Sequence, residues 1–408
     1  LIESLFILSS VFFLFAPSFV GIGIVVFLFF CFLGVNNENF SFLNIMFVFF
    51  SIWILYFMSN CSLDVAYWVY FSFFVVFFSF YYTNNLILFF IFFEMSLIPT
   101  FYLVVKSSSP KRSVASNYLV LYTFLGSLPL LISIVIFGLN NSFVYFYFFP
   151  YLFSGFLYFF ILAFLIKLPV FYFHLWLPKA HVEASTEGSM ILAGVLLKLG
   201  SYGLLLFCCW FNPNVFLSVV VFFGGIIAGL FSLISNDLKK LAAYSSIIHM
   251  SYMVFSSFGV VLISVWGVIF LSVGHGFISA GMFFLISLIY NFTGNRNIFF
   301  LGGVGNNYSF LLFFCGLLLI MNSSPPISIS FIGEIFMFIG GSLIFGFWNL
   351  VIIVLLNLLG GLLSVVFFLH LYHGNVENNS FYINFREGNV IFIFLIFSVF
   401  SYLLSSFL

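Results

Sequence analysis

Runs of apolar residues follow one another from one end of this chain to the other, many near the ~20 residues a helix needs to cross a hydrocarbon core about 30 Å thick. No long polar block separates them, so residues 1–408 read as a single membrane domain. A water-facing surface cannot be built from this material. Only 5% of the residues are charged and 64% are hydrophobic, at a mean hydropathy of +1.31, whereas soluble domains carry about 25% charged residues. A membrane β-barrel would need alternating strands and a polar lumen, and polar residues are too scarce for one. The expected fold is therefore all-α and polytopic, because helices satisfy their backbone groups internally in lipid.

A net charge of zero excludes a basic nucleic-acid surface. Cys31, Cys61, Cys208, Cys209 and Cys315 lie in apolar surroundings without CxxC spacing and read as buried thiols. No cleavable signal peptide is evident, and Leu1 in place of Met fits an unusual start codon or a trimmed end. The chain has 71 Phe and 21 Tyr, a bias that membrane physics does not demand. It points to a T-rich organelle genome and hence to a mitochondrion.

About fourteen spans are expected. Residues 1–35 hold either two short ones, split near Pro17, which is the count adopted, or one long one. The others lie near 41–60, 64–82, 84–105, 115–138, 152–177, 186–210, 215–235, 241–258, 262–290, 304–341, 345–372 and 389–407. The 304–341 segment carries Asn322-Ser323-Ser324-Pro325-Pro326 at its middle and reads as one broken span. On this count Lys106, Lys111, Arg112, Lys179, Lys239, Lys240, Arg296 and Arg386 all follow odd-numbered helices and so share one face. The positive-inside rule makes that face the matrix of a mitochondrion. Residues 1–63 hold N-terminal spans, 64–210 and 215–373 form two inverted five-helix repeats, and 389–407 is a C-terminal span. The fourth helix of each repeat is interrupted by proline, at Lys167-Leu168-Pro169 and at Ser324-Pro325-Pro326. Paired interruptions in inverted halves are a sequence pointer to a transport site.

Four charges remain inside spans: Glu94, Lys167, Lys198 and Glu334. Each costs about 2.5–3.5 kcal/mol to insert. Buried pairs that merely fix packing often add no net stability, so a structural role alone explains them poorly. Burial penalises the charged form of either residue type, which makes each a potential proton station. Glu94 and Lys167 are expected to approach each other near mid-membrane. Histidines extend the series, since imidazole both donates and accepts. His249 and His275 lie within spans, the latter between Gly274 and Gly276, which are expected to leave room around its ring. His174 and His181 bracket the end of the 152–177 span. Weaker signals are set aside: His370-x-x-His373 reads as interfacial, Gly225 and Gly229 as a packing GxxxG, and Gly302-Gly303-Val304-Gly305 as no phosphate loop. No Cys₄ or haem-type ligand set occurs, so no redox centre, cofactor or metal is expected on this chain.

The stretch His174-Leu-Trp-Leu-Pro-Lys-Ala-His-Val-Glu-Ala184, with Gly188-Ser-Met and Leu196-Leu-Lys-Leu-Gly200, resembles the chain 4 family of mitochondrial NADH:ubiquinone oxidoreductase (complex I). Phe93-Glu94, Asp237-Leu-Lys239, Ala243-Tyr-Ser-Ser246 with His249-Met250, and Gly333-Glu334 support the match. The Phe-rich, shortened form resembles the nematode versions. The resemblance implies an antiporter-like, proton-pumping subunit of the membrane arm in the mitochondrial inner membrane. Its pathway positions would be Glu94, Lys167, Lys198, Glu334, His174, His181, His249 and His275. The implied partners are other membrane-arm subunits, especially antiporter-like chains 2 and 5, together with lipid and no nucleic acid. NADH, FMN, iron–sulfur clusters and ubiquinone are implied for the complex. Ser185 stands where the family has Pro, and residues 1–35 are shorter than usual. A stand-alone Mrp-type cation/proton antiporter and a purely structural membrane scaffold are the rival readings.

Overall fold

The computed structural model describes residues 67–140, 154–208, 215–258, 261–303 and 309–373, with Ser51, Gly388 and scattered positions between 390 and 399. The expected spans within 1–63, Arg386 and most of the 389–407 span lie outside the described residues. Every regular element described is helical, and the β pairing among them is a single bridge between Asp237 and Asn297.

In chain order the helices are α1 (Tyr67–Tyr82), α2 (Leu86–Met95), α3 (Leu97–Lys106), α4 (Arg112–Asn140) and α5 (Ser154–Lys167). They continue with α6 (Trp176–Glu183), α7 (Thr186–Ile191), a π-helical turn (Leu192–Leu196), α8 (Leu197–Cys208), α9 (Val215–Ile234) and α10 (Leu238–Ser257). The last are α11 (Leu262–Thr293), α12 (Ser309–Asn322), α13 (Ile329–Phe345) and α14 (Phe347–Tyr372). Among the described residues six segments are long and apolar enough to cross a membrane: Leu86–Lys106, Arg112–Ile136, Thr186–Phe207, Leu217–Ile234, Leu262–Thr293 and Val354–Tyr372.

Two of these, Thr186–Phe207 and Leu262–Thr293, have a most apolar stretch that is buried throughout, so they form the centre of the bundle. Arg112–Ile136 and Val354–Tyr372 keep most of their surface open. Their open faces carry Leu121, Leu125, Leu358 and Leu362. In water such faces would be large apolar patches; in a bilayer they contact a solvent as apolar as themselves.

Close packing sets the positions of the charged residues. A Cβ on Gly333 of α13 would lie 2.6 Å from the Leu271 amide of α11, and one on Gly267 would lie 2.7 Å from the Met337 amide. Small residues therefore let these two backbones touch, as membrane helices do without a hydrophobic drive to associate. Gly274 belongs to the same seam, where an added Cβ would meet Ile329 Cγ2 at 2.6 Å. Its space is filled by α13 and does not make room around His275.

Around the first half, aromatic rings fill the core. Phe93 meets Phe164 edge-on at 5.6 Å, and Phe164 stacks on Phe207 at 5.3 Å, tying α2, α5 and α8 together beneath Lys167.

Candidate functional site

Lys167 is the last residue of α5, and the helix stops there because Pro169 has no N–H to continue the ladder. The freed carbonyls find other donors: Val170 N–H donates to Leu165 O at 3.2 Å, and Trp176 Nε1 donates to Ile166 O at 3.1 Å. The chain then turns through Tyr172, held at φ 80°, before α6 begins. Lys167 is buried, and its ammonium donates to Phe93 O at 3.0 Å and Ser96 Oγ at 3.1 Å, lying 3.3 Å above the Phe93 ring. These acceptors lie at the junction where α2 gives way to α3 within the 84–105 span.

Glu94 is one residue from Phe93, close enough to act on Lys167 electrostatically. The two are neighbours without a direct ion pair. Among the described residues the one ion pair is Lys240–Asp237, at 2.8 Å. Glu94 is half-buried, its Oε1 has no hydrogen-bond partner, and it faces a cavity of about 830 Å³ lined by Phe90, Met95, Ile98, Phe101, Asn117 and Leu121. The lysine takes the main chain and hydroxyl beside the acid, and the acid is left facing an open groove.

Lys198 follows the π turn, in which carbonyls leave the usual i→i−4 ladder. Its Nζ donates to Ala193 O at 2.8 Å and lies 3.0 Å from Nδ1 of His275. The second contact joins two titratable groups directly. A proton moving along it converts ammonium and imidazole into amine and imidazolium, with no intermediate carrier. The His275 ring centre is 5.4 Å from that of His249, and His249 is hydrogen-bonded to the main chain of Asn322. His181, fully buried, stacks on Phe283 at 4.4 Å with neither ring nitrogen bonded, within electrostatic reach of Lys198. His174 stands apart, stacked on Phe171 at 4.8 Å.

Glu334 lies in the first turns of α13, beyond the break that follows Asn322. Ser324 Oγ donates to its Oε1, and Asn357 Nδ2 donates to Oε2 at 2.8 Å. Tyr252 OH donates to its main-chain carbonyl at 3.1 Å. The structure thus joins Lys198, His275 and His249 in one buried row whose next neighbour is the Asn322 turn, with Glu334 on the far side of that turn. Lys167 and Glu94 form a second group.

Ser96, Ser324, Asn357 and Tyr252 were not singled out by the sequence. Asn357 could have been, as an amide in the middle of an apolar run. The weaker motifs stay outside: His370 meets the Phe299 ring edge-on at 6.2 Å, and a Cβ on Gly229 would meet Leu359 Cδ1 at 2.9 Å, as a packing glycine should.

At the face carrying the basic residues, three side chains cap three successive carbonyls at the end of α6. Arg296 Nη1 donates to Val182 O at 3.1 Å, Ser109 Oγ to Glu183 O at 3.0 Å, and Lys239 Nζ to Ala184 O at 2.9 Å. The 107–112 loop, the start of α10 and the loop after α11 thus meet at one end of the bundle. Lys239, in the polar first turn of α10 just outside the 241–258 span, is buried; that burial, with Arg296 adding to it and Glu183 and Glu187 opposing it, pushes its ammonium down to about 7.

Comparison with known proteins fits this arrangement. Residues 83–360 match the family described as NADH:quinone oxidoreductase/Mrp antiporter, TM. NADH-ubiquinone oxidoreductase chain 4 of Locusta migratoria is 35% identical over 332 residues, which are 76% of this chain and 72% of that one. In fold, a chain of respiratory complex I from Thermus thermophilus with bound NADH is similar at a TM-score of 0.75 and 20% identity, over 89% of this chain and 80% of that chain. A chain of the Mrp complex from Dietzia sp. is similar at 0.73 and 17% identity, over 82% and 68%. This chain belongs to the NADH:quinone oxidoreductase/Mrp antiporter family and, within it, to NADH-ubiquinone oxidoreductase chain 4.

Proposed function

We propose that this chain is a proton-translocating, antiporter-like subunit of the membrane arm of respiratory NADH:ubiquinone oxidoreductase. It moves protons through its Glu, Lys and His series while NADH is oxidised elsewhere in the complex. The observation that carries the reading is the direct contact of Lys198 Nζ with His275 Nδ1 at 3.0 Å, deep in the bundle and backed by His249. A lysine and an imidazole so placed are costly to bury and can exchange a proton without moving far.

The reading assigns Lys167 as a switching station tuned by Glu94, with Lys198, His181, His275 and His249 as the relay and Glu334 as the far acid. His174 is the outlying member. It assigns about fourteen spans, in two inverted five-helix repeats over 64–210 and 215–373, to the mitochondrial inner membrane, with the basic face on the matrix side. Antiporter-like chains 2 and 5 are the proposed neighbours. NADH, FMN, iron–sulfur clusters and ubiquinone belong to other parts of the complex. A stand-alone Mrp-type antiporter is disfavoured, because the likeness to the Mrp chain is one of fold while the sequence likeness runs to chain 4.

The test is Lys167→Ala and Lys167→Arg in the assembled complex. Alanine removes the station and suits a helix end. Arginine keeps the charge but cannot release its proton near neutral pH. Both variants are expected to assemble, with turnover depressed and proton pumping lowered at matched complex levels. Full assembly with pumping like the parent would make Lys167 structural and favour the scaffold reading.

A further inference from the structure

Ser324 sits in the turn between α12 and α13 at φ 54°, in the left-handed region. Two rules oppose that choice of residue. Side chains other than glycine are uncommon at positive φ, and the residue before a proline, here Pro325, favours an extended backbone. Glycine would meet the first demand without strain. The side chain that occupies the position is buried, and its hydroxyl donates to Glu334 Oε1.

The other groups around Glu334 leave this hydroxyl a distinct place. Asn357 of α14 holds Oε2 from the outer side, on a helix face open to lipid or to a neighbour. Tyr252 of α10 bonds the main-chain oxygen and not the carboxylate. On the α11 side Glu334 is approached through the Gly267–Gly333 seam, which brings backbone and no charge. On the inner side the turn carries Asn322, to whose main chain His249 is bonded, two residues before Ser324.

We propose that the Ser324 hydroxyl is a positioning residue for the Glu334 carboxylate, docking that acid against the broken turn on the His249 side of the pathway. Ser324 keeps its own proton throughout; it donates a hydrogen bond and fixes one rotamer of the acid. With the hydroxyl gone, Asn357 alone holds the carboxylate, which then turns outward, away from the histidines. The inference rests on the reading of Glu334 as a proton station, and the experiment separates the two.

Ser324→Gly, Ser324→Ala, Glu334→Gln and the double change Ser324→Gly with Glu334→Gln are compared in assembled complex. Glycine suits the backbone better than serine does, so Ser324→Gly is expected to assemble like the parent. Its coupled pumping should nevertheless fall by about ten-fold, the size of losing one hydrogen bond to a charged group. Ser324→Ala should pump as poorly, and the double variant should pump no worse than Glu334→Gln alone. In infrared difference spectra, the carboxyl band identified by its loss in Glu334→Gln should shift in Ser324→Gly. Parent-like pumping by Ser324→Gly overturns the proposal, making Ser324 a turn residue. Failure of Ser324→Gly to assemble also overturns it, since the defect would then lie in the fold. Parent-like pumping by Glu334→Gln sinks the underlying assignment of Glu334, whatever Ser324→Gly does.

Discussion

At the first interruption α5 ends on Lys167, whose ammonium rests on Phe93 O and Ser96 Oγ, and the acid beside it, Glu94, has an oxygen with no donor. At the second, the acid lies in the helix just beyond the break, and Glu334 has a donor on each carboxylate oxygen. Both turns hold a non-glycine residue at positive φ, Tyr172 and Ser324, the two such cases among the described residues. Strain of about 1–3 kcal/mol at each is tolerated. The contrast teaches that proline breaks supply room and free carbonyls, while the polar neighbours decide whether a charge is loose or fixed. Lys167 rests on neutral acceptors and not on the acid beside it. Glu334 is held in advance of any proton.

The largest expected effect tests that contrast at the two acids. Glu94→Gln and Glu334→Gln should both cut proton pumping severely in assembled complex, because an amide holds no exchangeable station. Their effects on heat stability should differ. Glutamine at 334 keeps one oxygen for Asn357 but forces the Ser324 hydroxyl to turn from donor to acceptor, giving up the charge-assisted bonds of a buried carboxylate at a cost of about 1–3 kcal/mol. Glutamine at 94 leaves no donor stranded and should stay within about 0.5 kcal/mol of the parent. Equal destabilisation in thermal unfolding of the two variants would remove the distinction between a loose and a fixed acid.

The next effect concerns the seam that positions the fixed acid. Gly333→Ala would press a methyl against the Leu271 amide, with no flexible side-chain end to give way. A destabilisation of about 1–3 kcal/mol is expected, seen as less assembled complex and a lower unfolding temperature. Gly361→Ala on α14 is the control, because nothing lies within 4 Å of its added Cβ. It should be neutral, or stabilising by up to about 1 kcal/mol through helix propensity. A milder outcome for Gly333→Ala than for Gly361→Ala would mean that α11 and α13 are not in backbone contact.

Hydropathy alone made the helical membrane class legible, and charges set in apolar runs singled out Glu94, Lys167, Lys198 and Glu334. Prolines marked both interruptions. The interruption at Ser96 was not singled out, although Pro99, three residues on, leaves the Met95 carbonyl without its helical donor. The π turn before Lys198 carries no proline. Transfer cost is a property of one residue, and it signals a buried charge without saying what satisfies it. Hence the approach of Glu94 and Lys167 could be expected, while the carbonyl and hydroxyl that satisfy Lys167 could not. For the same reason the Asn357 contact, 23 residues along the chain from Glu334, could not be read from spacing. Gly274 was placed correctly but given the wrong task, since a glycine in a sequence does not say which neighbour needs its space.

The smallest effect is at one end of the bundle, where the capped end of α6 ties distant stretches of chain together. Lys239 of α10 bonds Ala184 O at the end of α6. Replacing it by methionine keeps an unbranched stem and removes the donor, at a cost of about 0.5–1.5 kcal/mol from one hydrogen bond. The pH dependence gives a sharper signature. With the folded ammonium pushed down to about 7 from its ordinary 10.5, the unfolded chain binds more protons at this site across that window. The site's contribution to stability therefore rises as pH climbs from about 7 toward 10.5 and is least favourable below 7. Lys239→Met lacks this dependence. Its deficit against the parent should be small or reversed at pH 6 and should widen by pH 9, measured as the difference in unfolding temperature of the solubilised complex. A constant deficit across that range would mean that Lys239 stays charged at the cap, with Glu183 and Glu187 outweighing its burial and Arg296.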